Sequence, residues 1–147
     1  MNDKRKLAVK KNANITKSAK KTVLVTGAAG ALAKEVINRL RGNYKVVAVD
    51  FRKLTYHSDD IPSYKININK RGFEDLFKSY NFDSVVHLGR ISSGEETRMN
   101  RYNANVIGTQ KLLDLCHKYG IGNVTILSTF HVYGASPYNP ALIDETA

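Results

Sequence analysis

Cysteine is nearly absent: Cys116 is the single one in the sequence. No internal disulfide can form, which excludes a small disulfide-held scaffold, and the lone thiol suits a reducing, cytoplasmic compartment. No run of about 18 apolar residues occurs, so no membrane-spanning helix is expected. The first twenty residues hold no apolar core of signal-peptide length, which argues against secretion. Internal repeats are lacking, and His57, His87, His117 and His131 are never spaced as paired metal ligands, so no metal site is expected. What is present, 147 residues with 42% hydrophobic and 24% charged side chains, fits one ordinary globular domain.

Acidic residues are scarce at the start of the chain. Residues 1–21 carry eight basic side chains against Asp3 alone, so seven of the ten net positive charges lie there. This stretch has no hydrophobic periodicity and cannot offset its ordering entropy, so 1–21 is expected to be a disordered, lysine-rich tail. Such charge could serve a nucleic-acid-associated protein as an electrostatic arm. No aromatic side chain interleaves the lysines for base stacking, and nucleic acid is not the expected partner.

From Thr22 the pattern changes. Short β-branched runs predict buried strands at 22–26, 45–49, 64–68, 83–88 and 124–128. Between them, Leu32, Val36, Ile37 and Leu40 mark one helical face, and Phe73, Leu76, Phe77 and Tyr80 mark another. A long helix is predicted over 98–119, with Tyr102, Val106, Leu113 and Cys116 on one stripe and Leu112 and Leu115 widening it. Strands alternating with helices require right-handed crossovers and a parallel sheet. The expected fold class is α/β, a doubly wound parallel sheet (Rossmann fold) with five strands, over residues 22–147.

Gly27-Ala28-Ala29-Gly30-Ala31-Leu32 lies between the first strand and the first helix. Glycines there let the backbone turn tightly against a pyrophosphate, and the helix start offers unpaired N–H groups. Asp50 ends the second strand twenty residues beyond Gly30, where a carboxylate can accept both adenosine ribose hydroxyls. Arg52 could stack on adenine or meet a 2′-phosphate, or be a solvated loop arginine.

The turn Thr26-Gly27-x-x-Gly30-x-x-Ala33 resembles the short-chain dehydrogenase/reductase superfamily, and within it the extended branch of sugar-nucleotide epimerases and dehydratases. Ala33 replaces the last glycine of that motif, at a packing position where alanine is accepted. Four further stretches are similar to the branch: Asn67-Ile68, His87-Leu88-Gly89-Arg90, Asn105-Val-Ile-Gly-Thr109, and Leu127-Ser128-Thr129 followed by Val132-Tyr133-Gly134. The resemblance implies NAD as cofactor. It places Gly27, Ala29, Gly30, Ala31 and Leu32 at the phosphates, and Asp50 and Arg52 at the adenosine ribose. Asn67 and Ile68 would lie at adenine and Leu88, Gly89 and Arg90 at the nicotinamide-side ribose, with Asn105 and Ser128 as further cofactor-binding positions.

The same resemblance implies oxidoreductase chemistry on a sugar-nucleotide substrate by transient hydride transfer, with Thr129 as the catalytic hydroxyl. It implies a Tyr-x-x-x-Lys pair beyond residue 147, so this chain is expected to be the cofactor-binding half of a longer enzyme, inactive alone. A homodimer through the helix at 98–119 is a further implication. A noncatalytic dinucleotide-binding sensor or scaffold remains the other reading.

Overall fold

The computed structural model describes residues 20–54, 60–92, 94, 96–134, 137 and 143. Most of the expected tail, His57 and residues 144–147 lie outside them. Five strands form, β1 (Thr22–Thr26), β2 (Lys45–Asp50), β3 (Ser63–Lys65), β4 (Ser84–His87) and β5 (Asn123–Ile126). They make one parallel sheet ordered β3-β2-β1-β4-β5.

Alternation along β1 shows why both faces must be covered. Val23 and Val25 pack with Ile37, Leu54 and Ile61 on one side of the sheet. Leu24 joins Phe73, Phe77, Leu112 and Cys116 on the other. Helices α1 (Ala31–Leu40) and α2 (Gly72–Ser79) follow β1 and β3. The order runs one way from β1 to β3 and the other way from β4 to β5. This reversal opens a crevice at the C-terminal ends of β1 and β4.

Several sequence expectations need correction. On α1 the buried residues are Ala33 and Ile37, while Leu32 is half exposed at the helix start. Strand β3 ends at Lys65, because the Asn67 side chain accepts the Asn69 N–H at 2.9 Å and turns the backbone out of the sheet. Strand β5 stops at Ile126, the partner of His87, because β4 ends there too. The predicted long helix is three segments: α3 (Arg98–Tyr102), a π turn (Asn103–Ile107) and α4 (Gly108–Lys118). An inserted residue rotates the helix on one side of the π turn by about 100° relative to the other, so no single stripe runs through both. Tyr102 and Val106 are accordingly exposed, and Leu113 is exposed because the buried face of α4 is Gly108, Leu112, Leu115 and Cys116. Among the described residues, no helix is long and apolar enough to cross a membrane.

Candidate functional site

The crevice at the strand ends is a cleft of about 570 Å³. Its floor follows from the β1–α1 turn. Gly27 has φ of +74°, a left-handed backbone that costs any side chain strain. Space forbids a side chain as well: a Cβ on Gly27 would lie 2.4 Å from the Gly89 nitrogen. The two loops therefore touch backbone to backbone. This differs from the simple expectation that Gly27 leaves room for a phosphate, since the room is taken by Gly89.

The turn is stapled in place. Gly30 N donates to the Gly27 carbonyl at 3.0 Å, and Ala28 N donates to Val49 at 3.1 Å. Lys34 N makes the first α1 bond, back to the Gly30 carbonyl. The N–H groups of Ala31 and Leu32 thus head the helix ahead of its hydrogen-bond ladder, with the positive dipole end behind them.

Asp50 holds the turn from the side. Its Oδ2 accepts from Ala29 N at 3.0 Å, and its Oδ1 accepts from Arg52 N at 2.8 Å and Arg52 Nε at 3.3 Å. The carboxylate side chain is only 2% exposed, whereas the Arg52 side chain is 55% exposed. An ion pair with one member in solvent contributes little; the two backbone donors matter more. A carboxylate has about four acceptor positions and these three donors fill all but one, which leaves a single position for a ribose hydroxyl.

Ten residues named from the sequence meet along this cleft: Gly27, Gly30, Asp50, Arg52, Asn67, Ile68, Leu88, Gly89, Arg90 and Asn105. Ala29, Ala31 and Leu32 belong to the turn and helix start without lining it. Ser128 and Thr129 follow β5 at the same C-terminal edge of the sheet, outside the cleft lining. Burial of Cys116 pushes its thiol above the usual range, in keeping with an inert core residue.

Sequence reasoning missed a polar chain along the cleft wall. Thr26 Oγ1 bonds His87 Nδ1 at 2.5 Å, and His87 Nε2 bonds Thr109 Oγ1 at 2.9 Å. Asn105 then clamps Ile91, accepting its N–H and donating to its carbonyl, both at 2.8 Å. Asn69 Nδ2 donates to the Asn103 carbonyl inside the π turn at 2.8 Å. The register Thr26↔His87 was the available signal, because it sets a hydroxyl beside an inward-facing imidazole. Among the described residues no cluster of His, Cys, Asp and Glu could hold a metal ion.

Burial pushes the His87 imidazole below its ordinary value of 6.5. The unfolded chain therefore takes up this proton first as pH falls. Stability from a neutral His87 should be complete above about pH 6.5 and lost as pH drops from there toward the folded-state value. Thermal midpoints of wild type and His87→Gln, followed between neutral and acidic pH, should converge on acidification. Parallel profiles would contradict this assignment.

A model of the NAD dependent epimerase/dehydratase family matches residues 23–147. The chain belongs to this family. UDP-glucose 4-epimerase 2 of Arabidopsis thaliana is 31% identical over 132 residues, covering 78% of this chain and 38% of that protein. MoeE5, solved in complex with UDP-glucose and NAD, is 32% identical with a TM-score of 0.66, over 79% of this chain and 39% of that one. The Bordetella bronchiseptica enzyme WbmG, solved in complex with NAD, superposes with a TM-score of 0.72 at 19% identity, covering 82% and 41%, which supports the family's fold. The chain spans 38% of the length of the Arabidopsis relative.

Proposed function

We propose that residues 22–147 form the NAD-binding part of an epimerase- or dehydratase-type oxidoreductase that acts on a sugar nucleotide by transient hydride transfer. The observation that carries this reading is the β1–α1 turn at the β1/β4 crevice, where Gly27 and Gly30 line the cleft and α1 starts with N–H groups ahead of its hydrogen-bond ladder, with the Asp50 carboxylate at the neighbouring strand end. A dinucleotide needs close backbone approach for its pyrophosphate and an acceptor for its ribose hydroxyls. The residues fit it: Gly27, Gly30 and Gly89 put bare backbone along the cleft, and the N–H groups of Ala31 and Leu32 head α1.

In this reading the α1 start binds the pyrophosphate through backbone donors, and Asp50 orients the adenosine ribose. Asn67 and Ile68 border the adenine, and Leu88, Gly89, Arg90 and Asn105 border the nicotinamide half, with Ser128 nearby. NAD, when bound, supplies hydride acceptance and return. Thr129 orients the substrate hydroxyl by hydrogen bonding. The apolar side chains of Met99, Tyr102, Val106 and Leu113, exposed along α3, the π turn and α4, support a homodimer contact on this helix.

NAD should be preferred over NADP. A 2′-phosphate would sit against the Asp50 carboxylate, a like-charge contact that a half-exposed Arg52 relieves only in part. Calorimetric titration with each cofactor tests this reading. Tighter binding of NAD is the expected result; equal or tighter NADP binding would remove Asp50 from the ribose site and promote Arg52.

A further inference from the structure

We propose that His87 is a positioning residue of the cleft: its imidazole, held as the neutral Nε2–H tautomer between Thr26 and Thr109, sets the Gly27 and Gly89 backbones against each other. The consequence for cofactor affinity rests on the dinucleotide reading above; the positioning itself does not.

The tautomer follows from counting hydrogens. Thr109 has one hydroxyl hydrogen, and it donates that to the Asn105 carbonyl at 2.8 Å. Toward His87, Thr109 Oγ1 can therefore only accept, so Nε2 carries the hydrogen. Nδ1 is then a lone pair, and the Thr26 hydroxyl donates to it. Every member of the chain is satisfied in one direction only. A second proton on the ring would face Thr26 with donor against donor until that hydroxyl turned away.

The ring occupies the corner where three pieces meet. Thr26 directly precedes Gly27. A Cβ on Gly89 would lie 3.3 Å from His87 Cε1 and 3.6 Å from the Gly27 nitrogen, so the imidazole edge supports Gly89 from beneath. His87 also begins the segment that runs to Ile91, whose far end is gripped by the Asn105 carboxamide. Thr109 and Asn105 lie one turn apart on the same helical stretch. Both ends of the segment bordering the cleft are thus fastened to one place. Among the described residues no charged side chain hydrogen-bonds the imidazole; Asp50, Arg52, Lys70, Arg90 and Glu96 line the cleft without doing so. Hydroxyl geometry, not an ion pair, holds the ring.

Isosteric swaps separate this role from packing. Thr109→Val and Thr26→Val keep the shape and remove the hydroxyl, while Thr109→Ser and Thr26→Ser keep the hydroxyl. In the full chain, ring-nitrogen NMR should report a neutral imidazole with hydrogen on Nε2 at neutral pH. The valine variants should shift the Gly27 and Gly89 amide resonances and weaken NAD binding by up to about tenfold, the equivalent of the stability carried by one buried hydrogen bond. The serine variants should restore both. A ring protonated on Nδ1 would overturn the proposal, as would valine variants that leave the two glycine resonances unmoved. Should the wild-type chain bind no NAD, the dinucleotide reading falls, and the ring and glycine signals still decide the positioning claim. The ring measurement on wild type needs no variant to fold.

Discussion

Gly27→Val should abolish NAD binding, with affinity down at least about a hundredfold, and should lower the thermal midpoint at the same time. Two costs act together. The left-handed backbone at Gly27 disfavours any L side chain by about 1–2 kcal/mol, and valine's branching makes the strain worse. The larger cost is steric. A Cβ 2.4 Å from the Gly89 nitrogen and 2.6 Å from the Leu88 carbonyl carbon meets backbone, which cannot swing aside as a flexible side chain can. The β1–α1 turn and the loop after β4 must part, and the donors that would face a pyrophosphate move with them. Gly72→Ala is the matched control, since a Cβ there meets nothing within 4 Å and alanine favours the helix. Titration and thermal melts of the two variants check the prediction. Valine at Gly27 with wild-type NAD affinity would mean that the phosphates bind elsewhere.

Residues 1–147 should turn over no nucleotide sugar. Hydride transfer from a substrate carbon requires the hydroxyl proton on that carbon to leave. In the proposed reading Thr129 orients the hydroxyl, but a threonine has no basicity to take the proton at neutral pH. The base that the family resemblance implies is the tyrosine of a Tyr-x-x-x-Lys pair, and no tyrosine in this sequence has lysine four positions on. General-base assistance is typically worth about 10²–10⁴-fold, so turnover should lie at least that far below that of an enzyme carrying the pair. NADH absorbance and product analysis over a panel of nucleotide sugars measure it. Turnover that Thr129→Ala removes would reveal a base within these residues.

The readable part of the fold was the part written in local chemistry. Val23, Val25, Val46 and Val47 announce strands because both faces of a parallel sheet are covered, and the glycine turn announces a β–α junction. Asp50 was legible as a strand-end carboxylate, but its grip on Ala29 N was not, since that bond joins residues separated by a whole βα unit. The periodicity over 98–119 misleads for a definite reason. Periodicity assumes a constant 3.6-residue repeat, and the π turn at Asn103–Ile107 breaks it, so the predicted stripe at Tyr102 and Val106 does not continue into the buried face of α4 at Leu112, Leu115 and Cys116. That turn is held by partners remote in sequence: Asn69 on the Asn103 carbonyl and Thr109 linked through His87 to Thr26. A lone histidine in Ser-Val-Val-His carries no local mark of such a chain. Only the pairing of β1 with β4 brings it beside Thr26.

The most direct measurement is amide-shift mapping of the 147-residue chain during titration with NAD. The account predicts saturable shifts concentrated at Gly27, Gly30, Asp50 and Gly89, with Ala31 and Leu32 at the helix start moving in step. Residues around the shallow aromatic hollow at Phe77, Phe82 and Tyr119 should stay where they are. Shifts confined to that hollow, or no saturable shift at the β1–α1 turn, would contradict the assignment of the cleft as a dinucleotide site.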